Sequence, residues 1–154
     1  MKQIIAMLIL AAASTANAAP GAGEADAMTR MFTWWNQAFT HPQGFTGEAF
    51  SKYFTADAKL IIDGKLSAQG IDHLVEHFRR IQASGLQVHI ELPFKQGFSK
   101  DELISTYHVI NLRKEGKPLC QLAAGYGVVR EGKLAEVNLV RSVTDHSVEP
   151  LCWE

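Results

Sequence analysis

Cysteine is scarce in this chain: its 154 residues hold two, Cys120 and Cys152. Neither belongs to a Cys-x-x-Cys pair or has a histidine close by, which removes the usual zinc and thiol-redox spacings. No metal or cofactor is expected. An excess of charge of either sign is also missing, with Lys+Arg at 15 and Asp+Glu at 16. Without a basic field there is nothing to hold a phosphate backbone, so nucleic acid is not an expected partner. No apolar run approaches the roughly 20 residues that span a bilayer. There is no internal repeat, no low-complexity block and no Pro- or Gly-rich linker after Met28, so one globular domain is the economical organisation.

What the chain does have begins at its start. Lys2 precedes an apolar run from Ile4 to Ala13, and Ala16-Asn17-Ala18 gives the small-x-small pattern of a signal peptidase site. The expected organisation is a signal peptide at 1–18, a flexible lead-in at 19–26, a domain at 27–145 and a tail at 146–154. The mature chain is then periplasmic or secreted, where thiols meet oxidants. Two cysteines allow one intramolecular pairing, which would pin Pro150-Leu151-Cys152-Trp153 to the element carrying Cys120. The alternative is a buried Cys120 with a free Cys152.

Apolar residues at Met28, Met31, Phe32, Trp35, Ala38 and Phe39 predict a helix over 27–40. A second helix is expected over 45–54 with Thr46 as its cap. A third is read from Ile71, Leu74, Val75, Phe78 and Ile81, closed by Gly85. Lys59 to Ile62 reads as a strand entering a turn at Asp63-Gly64. Longer strands are expected at 86–94, 103–112, 119–130 and 134–144, with turns at Glu115-Gly116 and Glu131-Gly132. The class is α+β: three N-terminal helices on a curved, mostly antiparallel sheet, forming a cone with an apolar pocket.

Tyr53-Phe54-Thr55-Ala56-Asp57-Ala58, the Asp63-Gly64 turn, Gly70-Ile71-Asp72 and Arg130-Glu131-Gly132-Lys133-Leu134 occur in an order that resembles the nuclear transport factor 2-like superfamily. That superfamily includes ketosteroid isomerase and the polyketide-cyclase-like proteins, and the resemblance implies the cone fold. Its isomerase chemistry does not carry over in full. The matching positions hold Trp34 or Trp35 for the tyrosine, Ala124 for the late acid, and Ile62, with Asp63 one place beyond, for the base.

A two-residue turn at Glu131-Gly132 would set Val128 opposite Ala135, Tyr126 opposite Val137, Ala124 opposite Leu139 and Leu122 opposite Arg141. On this register Tyr126, Leu122, Val137 and Leu139 line the pocket, and Arg141 is the one charge facing it. The opposite face would carry Ala123, Gly125 and Gly127, small enough for a second copy to approach closely. Tyr107 and His108 compete for the inward position on the preceding strand; a two-residue turn at Glu115-Gly116 favours Tyr107, a three-residue turn His108. An inward His108 is the candidate acid/base. Trp34 is a further candidate for the pocket wall. His73 and His77, four apart on a helix, and His89 with Glu91 read as surface residues. The expected function is an exported binder of a small apolar or amphipathic ligand, anionic where Arg141 meets it. The alternatives are a lyase or isomerase using His108 and a homodimeric interaction module using the outer sheet face.

Overall fold

The computed structural model describes residues 25–154; the expected signal peptide and most of the expected lead-in, up to residue 24, lie outside the described residues. Helix α1 (Ala27–Phe39) starts at Asp26, whose carboxylate accepts from the Thr29 backbone N–H at 2.9 Å. Its periodic residues Met28, Met31, Phe32, Trp35 and Phe39 are all buried. Helix α2 (Gly47–Ser51) is capped by Thr46 and is shorter than expected, because Phe54 already belongs to strand β1 (Phe54–Ile62). Asp63 and Gly64 turn with φ of 52° and 76° into β2 (Lys65–Gln69). Helix α3 (Ile71–Ala83) follows and stops before Gly85, at φ 74°.

Strand β3 (Gln87–Ile90) is shorter than its apolar run suggested, since Pro93 has no N–H for a ladder. Strand β4 (Gln96–Lys100) has no counterpart in the sequence reading. All five of its residues are exposed, so no buried alternation marks it. Strands β5 (Leu103–Lys114), β6 (Lys117–Arg130) and β7 (Lys133–Thr144) form the expected meander.

The seven strands make one mixed sheet in the order β2-β1-β7-β6-β5-β3, with β4 on the same edge of β5 as β3. Among the described residues only β1 and β7 pair in parallel. Helix α1 lies against β3 and β7, and α3 against β1 and β2, so the helices cover one concave face. The core between them holds Phe45, Phe50, Leu74, Leu134 and Val137, each under 2% exposed.

One irregularity sets which side chains enter the core. The β6–β7 hairpin opens as expected with Arg130 opposite Lys133 and Val129 opposite Leu134, but Val128 then faces Glu136 and Ala135 has no partner. This bulge shifts the pairing by one residue and so changes the face of every later β6 side chain relative to β7. Gly127 faces Val137, Gly125 faces Leu139 and Ala123 faces Arg141. Val137, Leu139 and Arg141 point inward as expected; Leu122, Ala124 and Tyr126 are on the outer face. The glycines fit their crowded places. A Cβ on Gly127 would lie 2.7 Å from Met28 Sδ, and one on Gly125 would lie 1.9 Å from the Asn138 carbonyl oxygen.

The tail returns over the outer face of β5 and β6. Cys120 and Cys152 form a disulfide, closing a segment of sequence separation 32. Val109 packs beneath it with Leu122 at its edge. Glu149, buried, pairs with Lys95.

Candidate functional site

A cavity of about 140 Å³ lies between α1, α3 and the concave face of the sheet. Its wall is almost wholly apolar: Met31 and Phe32 from α1, Phe78 from α3, Ile110 and Leu112 from β5, Val137 and Leu139 from β7. Four of the residues that line it carry polar side-chain atoms, namely Trp35, His77, Gln121 and Arg141. Trp35 Nε1 and Gln121 Oε1 are buried and have no hydrogen-bond partner within the protein. One is a donor without an acceptor and the other an acceptor without a donor, and a group that stays so costs about 1–3 kcal/mol.

Arg141 stands at the rim and is not an isolated charge. Its Nη2 and Nε donate to Asp63 Oδ2 at 2.6 and 3.2 Å, and its backbone N–H donates to Asp63 Oδ1 at 2.9 Å. These bonds hold the Asp63 carboxyl below its usual pKa. Desolvation, aided by the nearby Arg80 and Arg141, lowers the pKa of His77, so that its neutral imidazole faces the cavity at neutral pH.

His108 faces inward on β5, one step along the row from Ile110. Its ring packs between Phe32 and Phe94, with centroids at 5.3 and 5.4 Å, and both ring nitrogens lack partners. Burial lowers its pKa to about 4. Thr106, the next inward residue of that row, is also buried with an unpartnered hydroxyl. Phe32 therefore stands between the cavity that it lines and the His108 ring.

No protein family's sequence profile and no curated protein matches this chain. Solved structures do. A protein of ketosteroid-isomerase-like fold from Catenulispora acidiphila DSM 44928, in complex with trimethylamine, superposes with a TM-score of 0.55 at 17% identity, over 71% of this chain and 82% of that one. A protein of unknown function from Exiguobacterium sp. 255-15, described as nuclear transport factor 2-like, gives 0.60 at 15% identity over 77% and 98%. A proposed SnoaL-like polyketide cyclase from Jannaschia sp. CCS1 gives 0.53 at 12% identity over 76% and 82%. The chain has the nuclear transport factor 2-like fold.

Within this fold the site residues expected from sequence divide in two. Val137, Leu139 and Arg141 line the cavity. Tyr126 and Leu122 do not, because the bulge turns them outward; the Tyr126 hydroxyl instead meets Glu136 and Asn138 at 3.2 Å each. Tyr107 is outward for the same reason. The turn at Glu115-Gly116 has two residues, as read, but the inner face of β6 is the Gln121 row, and its partners on β5 are Ile110, His108 and Thr106. Ala123, Gly125 and Gly127 thus face the helices and are not part of an outer contact surface. Trp34 stacks on Tyr53 at 4.8 Å and meets Phe50 at 5.0 Å, inside an aromatic cluster away from the cavity. Its neighbour Trp35 takes the wall position. Gln121 and His77 are the contributors that sequence reasoning passed over, the first for its assigned face and the second as a solvated helix position. His73 meets Glu76 at 3.9 Å, and His89 stacks on Trp153. Among the described residues no three His, Cys, Asp or Glu side chains gather as a metal centre requires.

Proposed function

We propose that this chain is an exported protein that binds a small, largely apolar molecule in the cavity between α1, α3 and the sheet. The observation that carries this reading is the pair of unpartnered polar atoms, Trp35 Nε1 and Gln121 Oε1, on residues of an otherwise apolar wall. An apolar cavity with a few converging polar groups is the common form of a small-molecule site. Export is supported by the leader pattern at 1–18 and by the Cys120–Cys152 bond, which suits an oxidising compartment. The domain is drawn at 27–145, with 146–154 as its covalently fastened tail.

The test is native mass spectrometry of protein recovered from the periplasm or medium of an expressing cell. A retained small molecule, lost or weakened about tenfold in Trp35→Phe and Gln121→Leu, supports the reading. Ligand binding that ignores both substitutions removes the orienting role.

Two further readings each have one observation in their favour. The outer sheet face exposes Phe98 (66%), Val140 (55%) and Leu103 (38%), which suits burial against a second copy. A sedimentation series that stays monomeric excludes it. The observation for a lyase or isomerase using His108 as acid/base is its inward place on β5, behind Phe32, with both ring nitrogens free of partners in the protein. Full turnover in His108→Gln on any substrate found would end that assignment.

A further inference from the structure

We propose that Asp63 is a specificity-determining residue: by occupying the Arg141 guanidinium, it makes the cavity select an uncharged ligand over an anion of the same shape. The inference rests on the ligand-binding reading above and names the class of ligand.

A lone arginine at the rim of an apolar cavity would be a carboxylate clamp, since a guanidinium stays charged and offers several donors in one plane. Here the charge is already paired within the chain, and the Nε–Nη2 edge of the guanidinium is taken. Asp63 sits in the β1–β2 turn, and its backbone N–H donates to the Leu139 carbonyl at 2.9 Å. The parallel pairing of Ile62 with Leu139 fixes this turn beside β7. The carboxylate then takes three bonds from Arg141, two from the guanidinium and one from the backbone. A ligand carboxylate would have to displace Asp63, whose effective concentration far exceeds that of a solute, from the Nε–Nη2 edge, or meet a guanidinium whose charge a carboxylate already compensates.

Among the described residues the cavity wall offers an anion no other lysine or arginine. Desolvation and two neighbouring arginines favour the neutral form of His77. Gln121 presents an unpartnered oxygen, which repels an anion, and Trp35 supplies a single N–H. A neutral group that both donates and accepts, such as a primary amide or an alcohol, could serve either atom without bringing a charge against the apolar wall. A volume of about 140 Å³ suits a molecule of about one ring, the scale at which a 150 Å³ engineered cavity takes benzene.

Benzamide and benzoate have nearly the same shape and differ in charge, so they isolate this property; benzylammonium adds the opposite sign. Each is titrated at pH 7 into the mature chain and into Asp63→Asn, followed by the indole N–H resonance of Trp35. Asparagine tolerates the positive φ of 52° at this turn, so the hairpin is kept. The wild type is expected to bind benzamide at least about tenfold tighter than either ion, as the desolvation of an unpaired charge requires. In Asp63→Asn the benzoate-to-benzamide affinity ratio should rise about tenfold or more, and adding Arg141→Gln should cancel that rise. Benzoate binding as well as benzamide in the wild type, or a ratio unmoved by Asp63→Asn, overturns the proposal. If none of the three binds either protein, the cavity reading itself falls and this inference with it.

Discussion

Trp153 donates its backbone N–H to Asn111 Oδ1 at 2.9 Å, so a fully buried side chain on β5 fastens the last residues of the chain. The same amide donates to the Leu151 carbonyl at 2.9 Å and to Glu91 Oε1 at 2.7 Å. Asn111 thus joins the tail, β5 and the segment after β3 at one point. Asn111→Leu would leave the Trp153 N–H and the Leu151 carbonyl without their partner, and should cost about 2 kcal/mol or more. Urea denaturation with an unchanged slope checks it. A midpoint equal to the wild type would mean that water replaces both bonds.

The disulfide beside that amide acts on the unfolded chain more than on the folded one. Closing a loop of sequence separation 32 stabilises by about 3–4 kcal/mol on the chain-entropy model. Cys120→Ser with Cys152→Ser should lower the denaturation midpoint accordingly, as should reduction of the wild type. The tail covers the outer sheet face and the cavity opens on the other, so ligand affinity should be unaffected. A parallel loss of binding would show that the tail shapes the cavity through the sheet.

Much of this architecture can be read from local signals. Asp63-Gly64, Glu115-Gly116 and Glu131-Gly132 all adopt the paired positive φ values of tight hairpins, with glycine at the second position of each. The α1 stripe is buried where its spacing puts it, and on α3 Leu74 and Val75 are buried while Ile71, Phe78 and Ile81 pack half-buried against the core. The inner face of β6 was not legible from its own alternation, because Ala135 adds one residue to β7 and inverts the facing side. A trace of it exists in the apolar spacing Leu134, Val137, Leu139, three and then two, which a regular strand would not show. That inversion carried the error onward to Tyr107, Tyr126, Leu122 and the small residues opposite. The helix spacing put Trp35 on the buried stripe, but it could not show that Trp34, one step away, packs on Tyr53 and Phe50 and leaves the cavity wall to Trp35. The Asp63–Arg141 pair joins residues 78 apart, through a parallel strand contact that nothing local announces.

The inverted face also predicts how β6 responds to added volume. In Gly127→Ala the new methyl meets Met28 and Leu134 side-chain atoms at 2.7 and 2.9 Å, and neither residue has exposed surface to move into. The expected cost is about 1–3 kcal/mol, partly recovered in the background of Met28→Ala. Gly125→Ala should be worse and not recoverable in that way. Its methyl meets the backbone carbonyl of Asn138 at 1.9 Å and must break the β6–β7 ladder. Thermal denaturation of the three variants ranks them. Equal tolerance of both alanines would contradict the inward placement of this row.

His108 supplies the pH dependence. Its pKa falls from 6.5 to about 4 on burial, so the folded state resists the proton that the unfolded chain accepts. Above pH 6.5 the ring is neutral in both states and contributes no slope. Between 6.5 and about 4 the unfolded state binds more protons, so stability falls as the pH falls. Below about 4 the folded ring also protonates and the loss levels off. A shift of this size corresponds to about 3 kcal/mol. Carboxylates such as Asp63 and Glu149, whose pKa values are lowered by Arg141 and Lys95, add their own acid sensitivity at lower pH. Comparing wild type with His108→Leu removes that background. The wild type should lose about 3 kcal/mol more than the variant between pH 7 and pH 4 in denaturant titrations. Parallel curves would mean that the folded ring takes a proton as easily as the unfolded one. In that case water or a carboxylate reaches it past Phe32, and the acid/base reading of His108 would be strengthened at the expense of a sealed apolar setting.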